Sequence, residues 1–293
     1  MRSRFGLTSL FVVAASGACG DASSTSTDVG ALSRTGADAG AEQDGGSDGQ
    51  SALLTTHPPI LDAGSAIAIG DPTLPRTLYL ENRCTQTIWT FAIPASTFPN
   101  GAPLKMDPGR AYAVGWSNGF SGRIWGRTEC TGSGGNLTCA QKRFDTLAEL
   151  TLTAGLASDW YDISLVDGFT LPLAIIQLDA PWTSTNAYVP GGLLGADSLC
   201  GSHVCATNLN ANCPAAWQEK DGDGNVVGCE NGMDGPSAGT RYFKDGCPTS
   251  YSWSSDDPQS LFRCPSAAQN EGVGSKDYEI IYCPTQGATP GFP

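Results

Sequence analysis

Two aspartates in the segment YDISLVDGF, Asp162 and Asp167, are candidates for acid–base chemistry. They lie five positions apart, so on one continuous strand their side chains would face opposite sides of a sheet. A bend near Val166-Asp167-Gly168 would allow them to meet. Carboxylates gathered around one arginine push their pKa values apart, because repulsion and burial raise some while the guanidinium lowers its neighbour. This gives the proton donor and the ionised partner that hydrolysis of a glycosidic bond requires, although carboxylates also bind sugar hydroxyls without catalysis.

Several aromatic residues lie close in sequence to acidic residues: Tyr161, Phe169, Tyr242, Tyr251 and Trp253. Exposed aromatic side chains can stack on the apolar faces of a sugar ring, because the aromatic ring itself presents a large, flat, apolar face. For each residue taken singly, a place in the hydrophobic core is the better expectation. Trp253 is the expected exception, because it lies in a polar stretch. Tyr251 and Trp253 are therefore included among the candidate substrate-binding residues.

No metal or cofactor site is predicted. The only histidines are His57 and His203, which excludes a His-rich metal site and disfavours a Ser-His-Asp triad. The segment DGDGN at 221–225 resembles a calcium loop but lacks the glycine at position six and the glutamate at position twelve. It is interpreted as a hairpin turn, and His203 as a loop residue.

Charge excludes two classes of partner. The 293 residues include 16 basic and 29 acidic side chains, a net charge of −13. This balance disfavours binding to nucleic-acid phosphates or to anionic lipid headgroups. No apolar run reaches the roughly 20 residues of a membrane-spanning helix.

Eleven cysteines are the strongest signal in the composition. They are scattered without CxxC pairs, which favours disulfides formed in an oxidising compartment over metal ligation. The odd cysteine is Cys19, which stands apart from the other ten.

The first 75 residues are interpreted as an export signal and a tether. Arg2 and Arg4 precede an apolar stretch, and the small residues 16–18 precede Cys19. This pattern resembles a bacterial lipoprotein signal, so residues 1–18 are predicted as signal peptide and Cys19 as the lipidated residue. An ordinary cleaved signal with an incidental Cys19 is the alternative. Residues 19–75 are rich in Gly, Ala, Ser, Thr and Asp, a composition typical of a disordered linker.

From Arg76 onward the pattern predicts short β-strands separated by turns. Segments such as TLYLENRC, TIWTFAI, AYAVGW, WYDISLV and YEIIYC are β-branched and aromatic. We expect a mainly β fold, an antiparallel sandwich over 76–293. Residues 199–257 are rich in cysteine and show little of the alternation of apolar and polar residues that is typical of strands. They are expected to form a small loop subdomain.

The order of several motifs resembles the thaumatin-like proteins, in particular the small, ten-cysteine type. These motifs include ENRCTQTIWT, GRIWGRTEC, TLAELTL, YDISLVDGF, TRYFKDGCPTSYSW and YEIIYCP. The resemblance covers roughly 77–284. It implies a flattened β-sandwich, a disulfide-rich loop subdomain beside it, and an acidic cleft between the two.

The resemblance also implies the residues of that cleft, which are Arg123, Glu149, Asp162, Asp167 and Asp256. In this interpretation Glu149 is the candidate catalytic acid and Asp167 its partner. Arg123 would hold the cluster together or contact the sugar. Asp162 and Asp256 would shape the electrostatic field of the cleft or bind hydroxyl groups of the sugar. The competing interpretation is an ion-pair network that braces the sandwich against the loops.

Five disulfides follow from the same resemblance: Cys84–Cys283, Cys130–Cys139, Cys200–Cys264, Cys205–Cys247 and Cys213–Cys229. Two departures accompany them. The family's TGDCGG signature is contracted to TGSGGNLTC, and a second cysteine-rich loop is missing between Cys229 and Thr240. We therefore expect a trimmed loop subdomain and a shallower cleft.

These observations predict an exported protein whose cleft binds β-1,3-glucan or a similar cell-wall polysaccharide, with possible endo-glucanase activity. The alternative is a non-catalytic, disulfide-stabilised surface module whose target is a protein or a membrane. A monomer is expected, held at the outer membrane or cell surface by its lipid anchor, or otherwise secreted. The membrane would then be contacted through the anchor alone.

Overall fold

The computed structural model describes residues 66–153, 158–178, 202–264 and 277–284. The predicted signal, Cys19 and nearly all of the predicted linker lie outside these ranges. No helix in the described ranges is long and apolar enough to cross a membrane. The mainly β class expected from the sequence is confirmed, with the strands β1 Ile67–Ile69, β2 Arg76–Asn82, β3 Ile88–Ile93, β4 Leu104–Met106, β5 Ala111–Trp116, β6 Ser121–Thr128, β7 Leu147–Thr151, β8 Asp159–Ser164, β9 Gly168–Phe169, β10 Leu173–Gln177, β11 Ser202–Cys205, β12 Gln218–Lys220, β13 Val226–Glu230, β14 Phe262–Cys264 and β15 Tyr278–Tyr282.

The strands form three sheets. The first has the order β1-β5-β2-β15-β10-β11, the second β14-β8-β7-β6-β3-β4, and the small third sheet β12-β13-β9. Neighbours pair antiparallel except in two places of the first sheet, where β1 lies parallel to β5 and β15 parallel to β2. The expected antiparallel pairing therefore holds throughout the second sheet but not throughout the first.

Alternation along the strands divides the second sheet into a core face and an outward face. In β6, the even positions Gly122 to Thr128 point inward, where Ile124 is fully buried, while the odd positions point outward. The same period places Leu150 and Ile163 in the core from β7 and β8. Burying each such aliphatic side chain contributes about 1.5–3 kcal/mol to stability.

The core lies between the two six-stranded sheets and is closely packed. Gly126 of β6 approaches Tyr282 of β15, and a Cβ atom added at Gly126 would lie 2.7 Å from the tyrosine ring. A larger residue at this position would therefore push the two sheets apart. The arrangement also explains why a glycine interrupts an otherwise apolar strand face.

The predicted linker ends too late in the sequence. Residues Ile67–Ile69, assigned to the linker, form β1 and pair with Tyr112, Ala113 and Val114 of β5. The apolar, β-branched triplet IAI can add to the open edge of a sheet at little entropic cost, because only three residues become ordered.

The segment expected to be a loop subdomain is more regular than predicted. Its first described strand, β11, belongs to the first sheet. The remainder contains the β12–β13 hairpin, the helix α1 Ala238–Gly246 and the short helix α2 Asp257–Ser260. A capping box between Ser237 and Thr240 starts α1, since each side chain accepts a hydrogen bond from the other residue's backbone N–H. The DGDGN segment is the hairpin turn between β12 and β13, where Asp221 accepts hydrogen bonds from the backbone of Asp223 and Asn225.

Four disulfides lie in the described ranges: Cys84–Cys283, Cys130–Cys139, Cys205–Cys247 and Cys213–Cys229. These are pairs that the resemblance implied. The fifth pair, Cys200–Cys264, cannot be followed because Cys200 lies outside the described residues. Two of the bridges staple the segment 205–247.

His203 is a buried strand residue of β11 rather than a loop residue. Its ring is fully buried and stacks on Phe262, with 4.3 Å between ring centres. The backbone N–H of Ile163 donates to Nδ1 at 3.2 Å. Burial lowers the pKa of His203 to about 3, so the ring is neutral and serves as a polar contact between strands.

Candidate functional site

Strand register places three of the predicted site residues side by side. Arg123 of β6 lies directly opposite Glu149 of β7, and Glu149 lies directly opposite Asp162 of β8. Opposed residues on one sheet face have Cβ atoms about 4.5–5.5 Å apart. All three point outward, because their sequence neighbours Ile124, Leu150 and Ile163 are buried in the core. We call Arg123, Glu149 and Asp162 the acidic row.

Asp167 approaches the acidic row across a bend. Strand β8 ends at Ser164, and Gly168 has a φ of +148°, a region that side chains rarely allow. A Cβ atom at Gly168 would lie 2.5 Å from the carbonyl oxygen of Cys229, so only glycine fits this turn. Asp167 itself is exposed, and its negative charge acts on Glu149.

Burial and mutual repulsion raise the pKa values of the two carboxyl groups in the acidic row. Burial raises the pKa of Glu149, and the charge of Asp167 raises it further; Arg123 and a hydrogen bond from Ser164 oppose this. The pKa of Asp162 lies well above its ordinary value, chiefly through burial and then through the charges of Glu149 and Asp257. The Oδ1 atom of Asp162 is buried without a hydrogen-bond partner. The row therefore contains carboxyl groups that can donate as well as accept protons.

Arg123 is an exposed cation at the end of the row. It forms no ion pair within 4.0 Å in the described part of the chain, and it acts on Glu149 through its charge. An unpaired guanidinium beside carboxyl groups offers several hydrogen-bond donors to a ligand.

Asp256 is paired with Lys244 rather than with a member of the acidic row. Its carboxylate is buried and accepts hydrogen bonds from Lys244 Nζ at 2.7 Å and from the backbone N–H of Ser252 at 3.1 Å. Its neighbour Asp257 is exposed, and the charge of Asp257 is one that acts on Asp162. The sequence contains both aspartates in tandem, and the motif alone could not decide which one faces the row.

The predicted aromatic residues divide into four groups. Tyr242 is half-buried on α1, and its hydroxyl donates a hydrogen bond to the backbone oxygen of Leu209. Tyr161 and Phe169 are fully buried in the core. Trp253 is half-buried beside Lys244, whose Nζ lies 5.5 Å from the centre of its ring. Tyr251 is half-buried, and its hydroxyl donates to Asp257 at 2.6 Å, which places it near the acidic row. Burial and this hydrogen bond raise the pKa of Tyr251, so its hydroxyl stays protonated.

One exposed aromatic residue was missed at the sequence level. Trp160 of β8 is 36% exposed and lies two residues before Asp162, on the same outward face. The guanidinium of Arg263 lies 5.5 Å from its ring centre. The signal in the sequence was the alternation of WYDIS, in which Trp160 and Asp162 share a face and Tyr161 takes the other.

The described residues contain no group of three or more His, Cys, Asp and Glu side chains arranged to hold a metal ion. The acidic row can instead bind hydroxyl groups, through carboxylate acceptors, protonated carboxyl donors and a free guanidinium. It also places a carboxyl group of raised pKa near the exposed carboxylate of Asp167, a pair that suits acid–base chemistry.

Comparison with known proteins gives the family. The model of the Thaumatin family matches residues 82–238. Thaumatin-like protein 1 of Pyrus pyrifolia is 31% identical over 244 residues, which cover 69% of this chain and 88% of the relative. Pathogenesis-related thaumatin-like protein 3.6 of Cryptomeria japonica is 33% identical over 230 residues, which cover 71% of this chain and 82% of the relative. Among solved structures, the thaumatin-like xylanase inhibitor TLXI aligns over 71% of this chain and 99% of its own at 13% identity and a TM-score of 0.34. The family model and the curated relatives together show that the chain belongs to the thaumatin family.

Proposed function

We propose that this protein is exported and binds a cell-wall polysaccharide of the β-1,3-glucan type at the acidic row. The observation that carries the proposal is the row itself, in which a free guanidinium and two carboxyl groups share one outward sheet face. Such a set matches a ligand that is rich in hydroxyl groups and carries little charge, because every group can donate or accept a hydrogen bond. The disulfides support export, since they persist in oxidising compartments.

Weak hydrolysis of the bound glucan is a second candidate. The supporting observation is the raised pKa of Glu149 beside the charge of Asp167. Glu149 would protonate the leaving oxygen of the glycosidic bond, and Asp167 would act as the ionised partner. Binding does not depend on this step.

The test is retention of the full chain on insoluble β-1,3-glucan, with soluble sugar release measured in the same tubes. Glu149→Gln and Asp167→Asn are compared with the wild-type protein. Asp223→Asn is the matched control, because Asp223 is an exposed carboxylate in the hairpin turn. We expect each substitution at the site to weaken retention about tenfold, the loss of ~1.4 kcal/mol, and the control to leave it unchanged.

The outcomes separate the candidates. Retention with sugar release that both site substitutions abolish supports hydrolysis, and retention without release supports binding alone. A wild-type chain that is retained on neither β-1,3-glucan nor other wall polysaccharides contradicts the proposal. The surviving alternative would be a disulfide-stabilised surface module with a protein or membrane target.

A further inference from the structure

A second row of side chains lies beside the acidic row on the same outward sheet face. Strand register pairs Ser121 of β6 with Thr151 of β7, Thr151 with Trp160 of β8, and Trp160 with Arg263 of β14. We call Ser121, Thr151, Trp160 and Arg263 the Trp160 row. It is displaced from the acidic row by two residues along each strand, which is about 7 Å.

The Trp160 row is open to solvent. Ser121, Thr151 and Trp160 are exposed, and the hydroxyls of Ser121 and Thr151 lie 3.2 Å apart. Trp160 is the one aromatic residue among the exposed large apolar side chains of the described residues. A tryptophan at this position covers little of the core, because its neighbour Tyr161 takes the inward place. Stability of the core therefore does not account for an indole here.

The indole is held in a fixed position. The guanidinium of Arg263 lies over one side of the ring, and Arg263 Nε donates a hydrogen bond to Ser158 Oγ at 2.8 Å. A cation held over an aromatic ring stabilises its orientation. Pre-ordering of a large side chain lowers the entropic cost of binding a ligand against it.

We propose that the Trp160 row is a second sugar subsite, in which the indole stacks on the pyranose next to the one bound by the acidic row. The inference rests on the proposed function and adds the orientation of the ligand. Two subsites displaced along the strands require the glycan to run along β6, β7 and β8 rather than across them. A β-linked glucose unit fits, because its hydroxyls lie around the ring edge and its faces are apolar. The hydroxyls of Ser121 and Thr151 would bind that edge.

The test measures binding of soluble β-1,3-gluco-oligosaccharides to the full chain by calorimetry and by tryptophan fluorescence. We expect Trp160→Ala to weaken binding about tenfold, Trp160→Phe to restore most of it, and the ligand-induced fluorescence change to disappear in both. Trp89→Ala is the matched control. Trp89 is also an outward tryptophan with a cation over its ring, Lys105 Nζ at 5.7 Å. It lies three strands from β8 and six residues further along the sheet, about 25 Å from Trp160.

Two outcomes distinguish the claims. A wild-type chain that binds the oligosaccharides, with Trp160→Ala equal to it or with Trp89→Ala equally impaired, overturns the second subsite and leaves the proposed function standing. A wild-type chain that binds none of them removes the proposed function and the subsite together. Melting temperatures of all variants within about 2 °C of the wild type show that a loss of binding is not a loss of folding.

Discussion

At the scale of single residues, Asp162 of the acidic row lowers the stability of the folded state at neutral pH. Asp162 lies in a half-buried position with an unsatisfied oxygen and a raised pKa. A carboxyl group of raised pKa binds more protons in the folded state than in the unfolded state. Folding therefore becomes less favourable as the pH rises above the pKa of an aspartate in the unfolded chain, which is near 4. Asp256, by contrast, forms a buried ion pair with Lys244.

Asp162→Asn should therefore stabilise the protein at pH 7 more than at pH 4. At pH 7 the substitution removes a buried group that resists ionisation, whereas at pH 4 both the wild-type carboxyl and the amide are neutral. We expect a gain on the order of 1 kcal/mol at pH 7, a rise of about 2–4 °C in melting temperature. Calorimetric melting at the two pH values measures it, with Asp223→Asn, an exposed aspartate of the hairpin turn, as the control. A variant that loses more stability at pH 7 than at pH 4 would show that the folded state favours the ionised form.

The sequence was informative about residues on regular strands and less so about residues at their ends. Arg123, Glu149 and Asp162 lie in the middle of alternating strands, where one register fixes a whole row. Asp256 and Asp257 lie at the start of a short helix, where one position changes which carboxylate is buried. Trp160 was not predicted as a site residue. An aromatic residue is exposed only if nothing covers the outward face of its sheet, and the sequence of one strand does not reveal that.

At the scale of elements, the approach of β6 to β15 determines how closely the sheets pack. Gly126→Ala should destabilise the protein, because the added Cβ would lie 2.7 Å from the ring of Tyr282. We expect a loss of about 1–3 kcal/mol, measured by chemical unfolding. Gly135→Ala is the control, since a Cβ atom there has no neighbour within 4 Å. Equal stabilities of the two variants would mean that Tyr282 moves aside at no cost.

The sequence predicted which segments form strands more readily than it predicted which strands pair with one another. The strands β3, β6, β7 and β8 were anticipated from β-branched and aromatic runs, and they lie side by side in the second sheet in chain order. The first sheet does not follow chain order, because β15 pairs with β2 in parallel across most of the chain. Such a pairing depends on contacts between distant residues, for which local propensity carries no information.

At the scale of the whole molecule, the disulfides should contribute unequally to stability. Cys84–Cys283 spans 199 positions and Cys130–Cys139 spans 9. In the chain-entropy account, closing the longer loop contributes about 5 kcal/mol and the shorter about 2.5 kcal/mol. The double substitution Cys84→Ser/Cys283→Ser should therefore lower the free energy of unfolding about twice as much as Cys130→Ser/Cys139→Ser. Denaturant unfolding of the two variants measures this difference, and equal losses would refute the entropic ranking.

The central place of β15 has a consequence for the newly made chain. It is the last described strand to be synthesised, yet it joins β2 on one side to β10 on the other. Until residue 282 has left the ribosome, the first sheet exists as two halves, each with an unpaired edge that can pair with another chain. The first sheet is therefore completed only after its last described strand has been made, and until then its two halves need shielding from aggregation.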